Sequence, residues 1–266
     1  MIVAGILGVI VGVILALTGA GGGILAVPLL VFGVGLGVAE AGPIGLMAVG
    51  MAAALGALLG LRAGVVRYKA SMLIAGAGML ASPLGVWLAH SMNNRLLTGL
   101  FGAVLLFVAF KTFRQACDRR AGDGSAAAKT PPCVRDPATG RFIWNLPCAR
   151  VLGLSGAFTG VLSGLLGVGG GFVMVPALAR YTDLEMQSIV ATSLAVIALI
   201  SVAGVTTSAL AGKVEWAVAL PFSAGALAGM LGGRLVAARL AGAQLQKGFA
   251  LVAGGVALMM MVKALA

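Results

Sequence analysis

The chain has 266 residues, of which 61% are hydrophobic and only 9% charged, with a mean hydropathy of +1.11. A soluble domain carries about 25% charged residues, so a soluble globular protein is excluded. The net charge of +11 comes from 18 Lys and Arg against 7 Asp and Glu. These basic residues fall in short connections and one central segment, without interleaved aromatics, so the lipid bilayer is the expected partner and nucleic acid is excluded.

In chain order, residues 1–17 form an apolar tract without a charged leader. The same pattern returns at 149–165, where no signal peptide could act, so the first tract reads as structure. It is broken at Thr18-Gly19-Ala20-Gly21-Gly22-Gly23, five residues before Pro28. This broken segment, 2–37, is followed by apolar spans at 41–61, 70–89 and 96–113, near the length a bilayer core requires. Residues 116–148 are polar and turn-rich, with Pro131-Pro132 and Asp136-Pro137-Ala138-Thr139-Gly140. They read as a loop with a small hairpin around 141–144. Cys117, Cys133 and Cys148 lie in or beside it, match no zinc or CxxC pattern, and are expected as free thiols in a reducing cytoplasm. A second broken segment, 150–181, contains Leu166-Gly167-Val168-Gly169-Gly170-Gly171 and Pro176. Spans at 186–209, 217–237 and 248–263 complete the chain.

These elements repeat at a fixed offset of 148 residues. Gly8, Gly12, Val13, Leu17, Gly19, Gly21, Gly22, Gly23, Val27, Pro28 and Leu30 reappear as Gly156, Gly160, Val161, Leu165, Gly167, Gly169, Gly170, Gly171, Val175, Pro176 and Leu178. The expected fold is therefore an all-α polytopic membrane protein with about eight hydrophobic segments. It has a transmembrane repeat at 1–115, a cytoplasmic loop at 116–148 and a second transmembrane repeat at 149–266.

Loop charge suggests how the copies face. In the first copy Arg62, Arg67 and Lys69 flank one loop and Arg95 stands in the next; in the second, Lys213 stands alone and Arg234, Arg239 and Lys247 surround the other. That reversal favours inverted repeats over a parallel duplication, with each broken segment returning to its own side.

Three consecutive glycines weaken a helix by roughly 1 kcal/mol each relative to alanine. Non-helical backbone at membrane depth is tolerated only inside protein or along a cavity. Half-helices starting near Ile24 and Phe172 would aim free N–H groups at such a cavity and make an anion site. The candidate substrate-binding residues are Thr18, Gly21, Gly22, Gly23, Ser163, Gly169, Gly170, Gly171, Thr192 and Ser193, with Pro28 and Pro176 as kinks. Thr159 is a further hydroxyl near the break. No metal or cofactor is called for, and a second copy of the chain is considered as a partner.

Enzyme motifs fail. Gly153-Leu154-Ser155-Gly156 imitates the GxSG of rhomboid proteases, but no histidine follows His90. No GxxxxGK[ST] or HExxH is present.

Gly19-Ala-Gly-Gly-Gly-Ile-Leu-Ala-Val-Pro28 and Gly164-Leu-Leu-Gly-Val-Gly-Gly-Gly-Phe-Val-Met-Val-Pro176 resemble the paired signatures of the TauE/SafE sulfite-exporter family. Ala191-Thr-Ser-Leu194 and Gly212-x-Val-x-Trp216 add to the likeness, which covers essentially the whole chain. The resemblance implies a multi-pass permease of the bacterial inner membrane for sulfur oxyanions or organosulfonates such as sulfite or sulfoacetate. The expectation is export by a secondary transporter. The alternatives are a channel or carrier for a neutral or cationic solute, and a non-transporting membrane scaffold. The first copy carries Gly42-Pro43-Ile44-Gly45 where the second has the hydroxyls of Thr192-Ser193, so a symmetric pair of hydroxyl sites is not expected.

Overall fold

The computed structural model describes residues 2–18, 22–118, Cys133, 145–212, 214–237 and 242–265. Among them the chain is helical: α1 (Ile2–Thr18), α2 (Ala26–Gly33), α3 (Val38–Arg62), α4 (Tyr68–Ser91), α5 (Asn94–Asp118), α6 (Leu146–Leu166), α7 (Gly171–Tyr181), α8 (Met186–Leu210), α9 (Trp216–Ala237) and α10 (Gly242–Leu265). A 3-10 turn, Gly22–Leu25, leads into α2. Six of the described helices are long and apolar enough to cross a membrane: α3, α4, α5, α6, α8 and α9. Exposed Leu80, Trp87, Phe107 and Leu210 give the bundle an apolar outer surface suited to lipid rather than water.

Local sequence sets the helix ends. The Gly37 N–H donates to Glu40 Oε2 at 3.0 Å and the Val38 N–H to Asn94 Oδ1 at 3.2 Å, satisfying groups left over at the start of α3. Helix α6 opens with a proline in its first turn and closes at Gly167, whose φ of 68° lies in the left-handed region.

Small residues rather than bulky apolar ones bring the helices together, because lipid removes most of the hydrophobic drive between them. Gly12 of α1 lies against the Ala226 carbonyl of α9, and Gly160 of α6 lies in the same way against the Gly78 carbonyl of α4. Both pairs run parallel, since Gly8 meets Phe222 and Gly156 meets Ile74 one turn earlier. At the 148-residue offset one contact maps onto the other. Helices α3 and α8 instead pack antiparallel: β-carbons on Gly50 and Gly56 would strike Ser201 and Leu194 in turn, and Gly204 meets Leu46. Helices α5 and α10 are also antiparallel, with Gly99 facing Ala264 and Gly102 facing Ala257 and Met261.

Each broken segment folds back on itself. The Thr159 hydroxyl of α6 approaches Met174 Sδ of α7 at 3.9 Å, and Gly33 at the end of α2 packs on Leu7 near the start of α1. The open end of the α6–α7 hairpin is tied across. Cys133 donates its N–H to the Tyr181 carbonyl at 3.2 Å and accepts from the Asp183 N–H at 3.3 Å. Its sulfur is joined to Cys148, on the first turns of α6. The free thiols expected at these two positions are therefore replaced by a disulfide. The backbone bridge at Thr182 holds residue 133 at the end of α7, within reach of Cys148 on α6, which no spacing rule on the linear sequence reveals. The small hairpin expected at 141–144 lies outside the described residues.

Candidate functional site

The two hairpin tips meet inside the bundle. A β-carbon on Gly23 would stand 2.8 Å from the Val168 carbonyl and 3.0 Å from Val49 Cγ1. The tips nevertheless differ in form. Gly22 and Gly23 are buried in the 3-10 turn, which runs on through Leu25 in right-handed helical conformation into α2. The first half-helix therefore restarts at Gly22 rather than near Ile24, because 3-10 bonding bridges the glycines. Gly21 and the side chain of Thr18 lie outside the described structure.

The second tip is a sharp turn. Gly167, Gly169 and Gly170 have φ of 68°, 74° and 65°, and Gly170 is the N-cap of α7. Only after this turn does ordinary bonding resume, with the Val173 and Met174 N–H groups donating to the Gly170 carbonyl. The N-terminus of α7, beginning at Gly171, thus opens inside the protein with its positive dipole end. Pro176 sits in α7 and removes the N–H that would bond to the Phe172 carbonyl; Pro28 does the same for Ile24 in α2.

Of the hydroxyls singled out in the sequence, Ser163 lies beside this tip. Its side chain is fully buried, its Oγ has no partner, and its carbonyl accepts the Gly167 N–H at 2.9 Å. Thr159, one turn earlier on the same face, packs against Gly170. Thr192 and Ser193 are placed elsewhere. The Thr192 Oγ1 accepts the Arg67 N–H at 3.2 Å at the start of α4, and Ser193 donates to the Val190 carbonyl of its own helix at 2.8 Å. The α8 hydroxyl that does reach the tip is Ser201, 3.8 Å from a β-carbon position on Gly169. Ser201 and Ser82 of α4 were not singled out in the sequence. Both are buried and both lack a partner.

The acidic residues Glu40, Asp183, Glu185 and Glu215 lie at helix ends, and Arg67 at the start of α4 is half-buried with its Nε unpartnered. Among the described residues the buried polar side chains are all Ser or Thr. The acidic residues and Arg180 are exposed, and Glu40 is engaged with its own N-cap. His90 donates from Nδ1 to the Val86 carbonyl at 2.8 Å. Ser155 donates to the Val151 carbonyl within α6. No group of His, Cys, Asp and Glu suited to a metal occurs among the described residues.

An apolar multi-pass bundle with interrupted helices meeting in its interior has the architecture of a membrane transporter. The family model described as sulfite exporter TauE/SafE matches residues 4–260, and the chain belongs to that family. A probable membrane transporter protein of Xylella fastidiosa (strain 9a5c) is 29% identical over 255 residues, covering 94% of this chain and 91% of its own. The probable membrane transporter protein YunE of Bacillus subtilis (strain 168) is 27% identical over 247 residues, covering 88% and 86%. One from Methanocaldococcus jannaschii is 30% identical over 207 residues, covering 75% and 68%. No solved structure matches. The protein is a multi-pass membrane protein, consistent with the inner membrane.

Proposed function

We propose that the chain is a secondary transporter that exports a small anion, a sulfur oxyanion or organosulfonate of the sulfite or sulfoacetate kind, by alternating access. The observation that supports this most is the α7 N-terminus, buried inside the bundle at Gly170–Gly171, with the hydroxyls of Thr159, Ser163 and Ser201 near the turn before it. A helix N-terminus with N–H and O–H donors favours an anion without a fixed cation. A buried carboxylate, which a cationic solute would use, has no counterpart among the described interior residues. The family's description points to the same class of substrate.

The proposed architecture is two inverted repeats, 1–115 and 149–266, each a hairpin plus three spans, joined by a cytoplasmic loop at 116–148. The antiparallel packing of α3 on α8 and of α5 on α10 supports it, because each pair consists of counterparts at the 148-residue offset. A two-fold axis in the membrane plane relates such pairs. With that topology the basic residues gather on the side of the central loop, and of 18 only Arg95, Lys213 and Lys263 fall on the other. Basic loops mark the cytoplasm.

Outward movement of an anion is favoured by an inside-negative potential, at about 2.3 kcal/mol per charge per 100 mV. Export then requires no coupling ion.

Two measurements test the reading. A reporter fused after the last residue should lie outside the cell; an inside signal rejects the inverted arrangement. Proteoliposomes should move sulfite, thiosulfate or sulfoacetate down an imposed potential. Flux that ignores the potential rejects electrogenic anion export.

A further inference from the structure

We infer that the substrate site lies off the two-fold centre, on one hairpin tip only, where Ser82, Ser163 and Ser201 converge beneath an outward cleft gated by Leu46. The inference rests on the transporter reading above and deepens it by assigning residues and a ligand class.

Ser163 and Ser201 border the α6–α7 turn, and Ser82 of α4 adjoins them through Gly164 and Gly204. Ser163 is one turn before Gly167, and Ser201 borders both Gly50 and Gly169. Ser82 Oγ stands 3.3 Å from a β-carbon position on Gly204, one turn along α8 from Ser201. Their exposures are 0%, 0% and 2%, and each Oγ lacks a hydrogen-bond partner. A buried hydroxyl left unpaired costs about 1–3 kcal/mol, so three on neighbouring helix faces describe a site that a ligand or its water completes.

The counterparts of the three at the 148-residue offset are Met230, Leu15 and Ala53, all apolar and buried. Gly204 is bordered by Leu46 and the Ser82 hydroxyl, whereas its counterpart Gly56 is bordered by Leu194 and the Met230 methyl. Where one copy places an O–H, the other fills the volume with a thioether. The first hairpin tip therefore packs as scaffold and the second binds.

A narrow cleft, with only about 10 Å³ of space open to a water molecule, leads toward the site from the end of the bundle opposite the open end of the α6–α7 hairpin. Gly42, Leu46, Val86, Gly164, Gly167 and Ser208 help to line it. Its floor is close to the serines, because Gly164 rests on the Ser82 backbone and a Leu46 δ-methyl presses on Gly204 beside Ser82 Oγ. Leu46, only 2% exposed, is the side chain between cleft and serines. Hydroxyl and peptide donors around a helix N-terminus suit a compact oxyanion with several acceptor oxygens; the same dipole end repels a cation.

The experiment uses the full chain with Cys117, Cys133 and Cys148 changed to Ser, carrying Ser163→Cys or Ser201→Cys one at a time. Ser223→Cys serves as control, because Ser223 is equally buried and unpartnered but lies on α9 away from the cleft. A small membrane-impermeant methanethiosulfonate should label positions 163 and 201 at least tenfold faster than 223. Leu46→Ala should speed labelling further, and millimolar sulfite or thiosulfate should slow it. Labelling at 163 and 201 no faster than at 223 overturns the site, whatever is transported. Fast labelling that neither anion slows overturns the oxyanion class while leaving the site in place. In the otherwise unaltered protein, Ser82→Ala and Ser201→Ala should each raise the KM for the transported anion about tenfold, the loss expected for one hydrogen bond to a charged group. Ser223→Ala should leave it unchanged. If all three variants behave alike, the site is wrong; if wild type moves none of the anions, the transport reading fails and labelling alone decides the site.

Discussion

The α-carbon of Gly167, at the end of α6, rests directly on the backbone of Gly42 in α3, with φ of 68°. A side chain there meets two obstacles at once, left-handed strain and another backbone. Gly64 has nearly the same φ, 69°, but open space around it. Gly64→Ala should cost only the conformational penalty, about 1–2 kcal/mol. Gly167→Ala should cost clearly more and abolish flux. Thermal unfolding of both variants in detergent separates the two contributions.

Gly160 and Gly153 lie on the same helix but face different surroundings. Gly160 touches the Gly78 backbone, whereas a β-carbon on Gly153 would meet nothing within 4 Å. Gly160→Val should prise α6 from α4 and sharply reduce the yield of monodisperse protein. Gly153→Val should be tolerated. Size-exclusion profiles of the purified variants check this.

Thr192 accepts a hydrogen bond from the Arg67 backbone, joining α8 to the start of α4. Thr192→Val keeps the shape but leaves a partly buried N–H without an acceptor, at a cost of about 1–3 kcal/mol. Thr192→Ser should restore most of it. A lowered melting temperature in the first variant and recovery in the second is the expected pattern.

Cys133 and Cys148 are bridged across 15 residues. In the chain-entropy account a loop of that size contributes about 3 kcal/mol. Protein purified in air, away from the reducing cytoplasm in which the proposed topology places this pair, should show two fewer alkylatable thiols than the same protein reduced under denaturing conditions. Reduction of the native protein should lower its thermal stability, and Cys148→Ser should show the same loss without reductant.

The sequence makes some of this legible and hides the rest for physical reasons. Glycine runs and prolines act on their own local backbone, so the breaks at Gly22–Gly23 and Gly167–Gly171 stand out in a linear reading. The membrane character is equally plain, because lipid selects on composition alone. Ser82 and Ser201 were not visible, since helices distant in the chain bring them together and single serines in membrane helices usually bond to their own carbonyls. A signal was present all the same: at the repeat offset their counterparts are Met230 and Ala53, a polar residue set against an apolar one. Thr192 and Ser193 stood out as a pair, yet they sit near the first turns of α8, too early in that helix to reach the tip. The disulfide depends on a backbone bridge at Thr182 and could not be read from spacing.

The pairing of α1 with α9 also bears on how the chain is made. Gly8 and Gly12 find their places on Phe222 and Ala226, more than two hundred residues later. At roughly 5–20 residues per second, the ribosome leaves the first helix without its partner for on the order of 10–40 s. Helix α6, by contrast, emerges with α4 already in the membrane. Biogenesis of the two matched interfaces is therefore unequal in time, and the glycine face of α1 is the surface exposed longest to wrong neighbours or to an insertion chaperone.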